Sequence, residues 1–220
     1  DLGSAMVFCP IAVVMAYSAG ASGRHLLWTG LLGLVVVVLA YTFVLQDYQL
    51  ERIDAWQGHF TWQPETAVGA EREEIRNLIR GPAYQPWQSL IAIGSAGWFG
   101  FGVGEGPQNR YDFVPYRNAD YIFSVVAEET GLLGVIGLML LQAALVLVLL
   151  RIASRSRERF GRILVVGVAT FLGSQTLMHI AVCSWLVPST GLPLPLMSYG
   201  GSSTMVTVLA LAMALNIGAR

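Results

Sequence analysis

Five stretches of this chain approach the roughly 20 consecutive apolar residues that a helix needs to cross a bilayer, and nothing else limits the fold as tightly. They are residues 4–20, 25–45, 121–150, 163–187 and 204–217. The third contains Glu128 and Glu129, but residues 131–150 beyond them are long enough to span alone. The first and last are short and draw on residues 1–3 and on Ser202 and Ser203. Only 12% of residues are charged, against about 25% in an ordinary soluble domain. The expected fold is therefore all-α, a polytopic transmembrane helix bundle, because a spanning segment must satisfy its own backbone hydrogen bonds.

Arginine placement orients the bundle. Arg24 lies between the first two stretches, Arg151, Arg155, Arg157, Arg159 and Arg162 between the third and fourth, and Arg220 ends the chain. Strict alternation puts all of these on one side, which should be the cytoplasm. The organisation expected is two transmembrane helices in 1–45, a large extracytoplasmic loop in 46–119, and three transmembrane helices in 120–220 with a proline-rich outer loop at 188–203. All 13 basic residues are arginine, which reads as a lineage bias. A net charge of −1 offers no basic face for nucleic acid. Cys9 and Cys183 lie far apart in apolar runs, form no metal or redox motif, and read as buried thiols. The chain begins at Asp1 with neither initiator methionine nor signal peptide, and reads as a piece of something longer.

Within the long loop, residues 71–80 read as a short amphipathic helix. Ile75, Leu78 and Ile79 share one face, and Gly81 and Pro82 stop it. Residues 85–103 are apolar but glycine-interrupted and cannot cross without breaking the alternation. An interfacial or re-entrant helix anchored by Trp87 and Trp98 fits them. The glycine run 94–106 lacks the preceding strand and the Gly-Lys-Ser/Thr of a phosphate loop, and reads as part of that close-packing helix.

Asp120, at the start of the third stretch, is either a helix N-cap or a carboxylate held at the membrane surface toward a headgroup. Glu128 and Glu129 follow about 12 Å further along that helix. As neighbours on a helix they should point apart, one into the bundle and one toward the interface, with function and structural pairing both open. Gln175 and His179 fall on one helix face as interhelical hydrogen-bonding residues, or with His179 as proton donor; no zinc-ligand spacing surrounds them. Pro188, Pro193 and Pro195 forbid regular helix and lay a stiff loop over the bundle. Its end offers hydroxyls and backbone N–H groups at a helix N-terminus, suited to an anion such as phosphate, while Ser202 or Ser203 caps the last helix.

That segment, Gly191-Leu192-Pro193-Leu194-Pro195-Leu196-Met197-Ser198-Tyr199-Gly200-Gly201-Ser202-Ser203, resembles the SEDS (shape, elongation, division and sporulation) family of RodA/FtsW-like peptidoglycan glycosyltransferases. Further resemblances fall in family order: Asp1-Leu2-Gly3, Arg52, Gln88-Ser89, Gly94-Ser95-Ala96-Gly97, Asp120-Tyr121-Ile122-Phe123, Glu128-Glu129 and Phe160-Gly161-Arg162. The resemblance implies the C-terminal portion of a multi-pass protein of the bacterial cytoplasmic (inner) membrane. It also implies polymerisation of lipid II, the undecaprenyl-pyrophosphate-linked disaccharide-peptide, as both donor and acceptor. Asp120 would be the catalytic residue. Asp1, Arg52, Gln88, Asp112, Arg117, Glu129, Ser198, Gly200, Ser202 and Ser203 would bind substrate. A divalent cation such as Mg²⁺ is a candidate cofactor, with no organic cofactor. The implied partners are a class B penicillin-binding protein transpeptidase and membrane lipid. Tyr116, Asn118 and Ala119 stand where the family places glutamate, histidine and threonine before its aspartate. A precursor flippase or a non-catalytic scaffold of the cell-wall machinery are the rival readings.

The orientation is checked by cysteine labelling from outside the cell. A cysteine placed at Gln63 should react and one at Ser156 should not; the reverse pattern overturns the orientation.

Overall fold

The computed structural model of the chain describes residues 2–43, 46–60, 62, 69–111, 113 and 118–219. Among them the regular structure is entirely helical. Five apolar helices stand where the five stretches lie: α1 (Leu2–Ser18), α2 (Gly23–Phe43), α7 (Ile122–Arg155), α8 (Arg159–Cys183) and α9 (Gly201–Gly218). Helices α7, α8 and α9 are each long and apolar enough to cross a membrane, and α1 and α2 add the shorter apolar runs Met6–Ser18 and Gly23–Val36. Between them lie α3 (Asp47–His59), α4 (Ala70–Arg80), α5 (Tyr84–Ser95) and α6 (Pro107–Arg110). The polytopic membrane bundle expected from the sequence is the architecture found.

Helix α8 is the centre of the bundle. Its Val165, Val168, Ala169 and Leu172 bury against Leu149 and Ala153 of α7 and Ala214 of α9. On another side it meets α1 so closely that a Cβ on Gly167 would sit 2.7 Å from Met15 Sδ. Outward-facing apolar side chains such as Leu140, Leu141 and Leu147 on α7 and Leu209 on α9 stay exposed, as a bilayer-facing surface requires. Cys183 is buried, but Cys9 is exposed on α1, which corrects the reading of both as buried thiols. Outward-facing thiols on an apolar helix need no protein cover when lipid supplies it.

Outside the bundle, α4 forms as expected, with Ile75 buried and Gly81 at its C-cap. Helix α3 was not anticipated; it opens on a reciprocal capping box between Gln46 and Gln49. Its Ala55, Trp56 and His59 join an aromatic cluster around Trp185, on which His59 stacks at 4.2 Å and Trp62 and Trp87 pack edge-on. Trp87 is thus part of a protein core instead of an interfacial anchor, whereas Trp98 is exposed. Trp185 takes φ 51°, and this turn ends α8 at Cys183, four residues short of the expected 187.

The segment 85–103 is the main correction. Helix α5 covers only Tyr84–Ser95, and the glycines after it form a loop with positive φ at Gly97, Gly100, Gly102 and Gly104. That loop docks on a break in α7, where Gly131 has φ 67° and ψ −166°. Phe101 N and Gly102 N donate to the carbonyls of Glu128 and Glu129 at 2.9 and 3.0 Å, and Leu132 N and Leu133 N donate to those of Gly97 and Trp98 at 3.0 and 3.2 Å. Each chain satisfies groups the other leaves open. The approach admits no side chain: a Cβ on Gly131 would lie 2.4 Å from Gly100 N, and one on Gly100 2.3 Å from Glu129 O.

The break also decides where the two glutamates sit. Residues 132–155 run about 36 Å as helix, enough for a span without the turns before them. Glu128 and Glu129 therefore stand in the last turn before the break, Glu128 buried and Glu129 half-buried. Glu128 accepts from Gln108 N at 2.7 Å and Asn109 N at 3.0 Å; Glu129 accepts from Gly104 N at 3.0 Å and from the Asn109 side-chain amide. One segment, residues 104–109, supplies donors to both carboxylates.

Gly131→Ala should destabilise the protein by at least about 2 kcal/mol, since it combines a left-handed backbone with a collision against Gly100. Gly137→Ala, where a Cβ meets nothing within 4 Å, should be neutral or slightly stabilising. Thermal unfolding in detergent measures both, and equal melting temperatures for the two variants would refute the importance of the break.

Candidate active site

The segment from Pro188 to Gly200 does not lie over the bundle as expected; it descends into it. Helices α7 and α8 hold it by three side-chain donors. His179 Nδ1 donates to Leu192 O at 2.7 Å, Gln175 Nε2 to Pro193 O at 3.0 Å, and Gln142 Nε2 to Pro195 O at 3.1 Å. Since a carbonyl only accepts, the first bond puts the imidazole proton on Nδ1 and leaves Nε2 facing Phe123 N, 3.4 Å away at the first turn of α7. Gln175 lies about 12 Å along α8 from Cys183, which measures the loop's depth. Leu192 and Leu194 are buried beside these bonds. Gln175 and His179 are structural hydrogen-bonding residues, with a loop as partner where another helix was expected.

The far end of the loop fixes the backbone before α7. Ser198 Oγ donates to Ala119 O at 2.6 Å while accepting from Leu194 N at 2.7 Å, and Tyr199 N donates to Asn118 O at 2.8 Å. From the other side, α5 packs in through buried Ser89, which donates to Cys183 O and is hydrogen-bonded to Ser124 Oγ, both at 2.7 Å. Gln88 is half-buried beside it.

Asp120 stands at this junction. The N-cap of α7 is Tyr121, without a side-chain cap bond, so Asp120 does not cap the helix. Its carboxylate is half-buried, 3.4 Å from where a Cβ on Gly191 would lie, and takes no hydrogen bond or ion pair among the described residues. Burial raises its pKa above the ordinary carboxylate value, and the positive charge of Arg52 works against that rise. Arg52 is set by α3: it donates to Ser189 O at 3.3 Å and lies 5.9 Å from the centre of the Tyr48 ring. Tyr48, Arg52, Ser189 and Gly191 line a small cleft of about 80 Å³. An apolar groove of about 810 Å³ opens beside Asn118 and Ile122 and runs past Tyr199 and Gly200 down α9 to Leu209. A carboxylate between a cationic cleft and an apolar groove can take a proton at the head of an amphiphile whose tail lies along the groove.

The fold thus brings together Asp120, Arg52, Ser198 and Gly200. Ser203 donates to Gly200 O at 3.1 Å and Ser202 is exposed, so the cap of α9 is Gly200 and neither serine performs the capping expected of it. Glu129 lies with the glycine loop, its carboxylate already engaged there. Arg110 pairs with Glu105 at 2.9 Å on the surface. Asp1, Asp112 and Arg117 lie outside the described residues. Gly191, Asn118 and Tyr199 were not singled out individually, although Gly191 and Tyr199 belong to the most distinctive motif of the chain. Among the described residues no three Asp, Glu, His or Cys side chains converge, and Arg52 is the charged group that acts on Asp120.

A family model described as cell cycle protein, covering FtsW, RodA and SpoVE, matches residues 1–220. The chain is 37% identical over 223 residues to a "Probable peptidoglycan glycosyltransferase FtsW" of Geobacter metallireducens, a match covering 100% of this chain and 54% of that protein. It is 32% identical over 223 residues to "Peptidoglycan glycosyltransferase MrdB" of Escherichia coli, covering 99% and 54%. A solved structure described as "Structural coordination of polymerization and crosslinking by a peptidoglycan synthase complex" superposes with a TM-score of 0.65 at 28% identity, covering 100% of this chain and 56% of that one. The chain spans about half the length of the curated relatives it matches. Matched from end to end, it belongs to the FtsW/RodA/SpoVE family of cell cycle proteins, the SEDS family.

Proposed function

We propose that the protein to which this chain belongs is a peptidoglycan glycosyltransferase that polymerises lipid II, with Asp120 as general base. The observation that carries this is the half-buried carboxylate of Asp120, uncommitted among the described residues, beside Gly191 of the Arg52 cleft and in the chain between Asn118 and Ile122 of the apolar groove. The relatives' names as peptidoglycan glycosyltransferases supply the reaction class. The acceptor's sugar hydroxyl oxygen attacks the donor's anomeric carbon and gives its proton to Asp120. The bond from that carbon to the pyrophosphate oxygen breaks, and the polyprenyl pyrophosphate leaves. Arg52 attracts the pyrophosphate, and the groove along α9 takes polyprenyl chain. The Asp120 end faces outward, and a class B penicillin-binding protein is the partner, in keeping with the synthase complex that the fold resembles. A transporter would need titratable carboxylates free to cycle, yet backbone and amide donors engage Glu128 and Glu129.

Asp120→Asn removes the base at constant size. Polymerisation by the whole protein with its partner should fall at least about a hundredfold, within the range for losing a general base, while lipid II binding weakens far less. Wild-type polymerisation by this variant would sink the assignment. Arg52→Gln removes the charge that holds the Asp120 pKa down, so the acidic limb of the pH–rate profile should move to higher pH. An unmoved limb with only a raised KM would restrict Arg52 to substrate binding.

The same shift predicts stability. A carboxyl with a raised folded-state pKa stabilises the fold while protonated, and that contribution is lost as pH rises through the folded value. At neutral pH ionised Asp120 is therefore a cost. Asp120→Asn should melt no lower than wild type at pH 7, with the difference shrinking as pH falls below the ordinary carboxylate range.

A further inference from the structure

A further cavity, of about 360 Å³, lies at the opposite, arginine-rich end of the bundle, where α7 ends and α9 ends. Arg151, Arg155, Arg157 and Glu158 supply its charged wall, and Val148, Ile152 and Ile217 its apolar wall. The recess is built by tight helix contacts. A Cβ on Gly218 would lie 3.0 Å from Ile152 Cγ2, and one on Gly161 would lie 3.0 Å from Ile217 Cγ2 and 3.2 Å from Ser156 Oγ. Ser156, extended at the end of α7, ends the helix, and Arg157 beyond it lines the same cavity as Arg151 and Arg155.

Among the described residues, none of these three guanidinium groups makes an ion pair or a hydrogen bond, although Glu158 lines the same cavity. Other arginines are committed: Arg159 donates to Ala19 O at 2.6 Å, and Arg110 pairs with Glu105. The positive-inside preference explains why arginines are numerous at this end. It does not explain why three of them converge, unpaired, on a recess with a hydrocarbon wall. Guanidinium forks match phosphate oxygens, and the apolar wall suits an acyl chain continuing toward the bilayer. A free phosphate ion would leave that wall without a partner.

We propose that this recess binds the phosphodiester headgroup of an anionic phospholipid from the leaflet on the arginine-rich side. Arg151, Arg155 and Arg157 hold the phosphate, and Val148 and Ile217 contact the start of an acyl chain. The assignment is independent of the reaction at Asp120.

Native mass spectrometry of the whole protein, purified in detergent and offered phosphatidylglycerol or phosphatidylcholine, tests it. Wild type should retain phosphatidylglycerol in preference to phosphatidylcholine. R155Q should lower that retention about fivefold, and R151Q/R155Q/R157Q on the order of a hundredfold, as expected for removing one or three basic residues near an anionic lipid. R24Q/R162Q, which removes charge at the same end but outside the cavity, should retain the lipid as wild type does. Equal loss in this control, or no preference for phosphatidylglycerol in wild type, overturns the proposal. A rise in melting temperature with millimolar inorganic phosphate as large as that with phosphatidylglycerol also overturns it, in favour of a free-anion site. Should the triple variant fail to insert, R155Q decides, and unchanged retention by R155Q counts against the site.

Discussion

A chain that leaves helix inside a membrane bundle must find a partner for every backbone carbonyl it exposes, and the proline loop is arranged around that requirement. Proline at 193 and 195 removes two N–H groups and bars helix, so the carbonyls of residues 192, 193 and 195 have no local donor. His179, Gln175 and Gln142 supply the donors from α8 and α7. Each is an interior polar residue that would be costly without such a partner. The loop and the polar side chains therefore make each other affordable, and their register sets that of Ser198 and Tyr199. Those two residues fix the carbonyls just before Asp120. The position of the carboxylate thus depends on hydrogen bonds made well below it.

A second irregular segment follows the same logic with different means. The glycine loop and the break at Gly131 exchange backbone hydrogen bonds directly, and the carboxylates of Glu128 and Glu129 take the N–H groups left in the loop. Three acids within ten residues of one chain segment thus have two fates. Glu128 and Glu129 are saturated with donors and fasten the loop. Asp120, at a helix start it does not cap, keeps its oxygens free. What separates the two fates is the supply of donors, more than depth in the protein.

The sequence made the bundle legible because apolar length is a property of composition: all five apolar helices fall on the stretches read from it. The short helix at 70–80 was legible for a related reason, since its apolar face repeats at helical spacing. What stayed hidden depended on contacts between distant segments. Helix α3 has a low apolar content, and its inward face has meaning only beside Trp185. The glycine run looked like a close-packing helix because glycine signals both close approach and positive φ; only the partner strand of backbone at Gly131 tells them apart. Glu128 and Glu129 carry no signal in the sequence for the loop of residues 104–109 that donates to both of them. At the site, Asp120, Arg52, Ser198 and Gly200 were named from motif resemblance, whereas the distances and bonds that unite them come from loops too irregular for periodicity to place.

The pairing of Asp120 with Arg52 meets a conflict that any base working beside a pyrophosphate faces. Burial strengthens the carboxylate as a base, while an arginine close enough to attract the leaving group weakens it. The arrangement separates the two influences, because Arg52 is held by Ser189 O instead of by the carboxylate, and among the described residues no ion pair locks the aspartate. Under the proposed reaction, a pyrophosphate drawn to Arg52 offsets the charge that restrains Asp120, and the base strengthens when the donor substrate is in place. An empty site, by contrast, leaves the arginine's field acting on the carboxylate alone and holds its affinity for protons down. Under that reaction the same guanidinium serves binding and timing while a loop carbonyl, that of Ser189, is its hydrogen-bond partner in the fold.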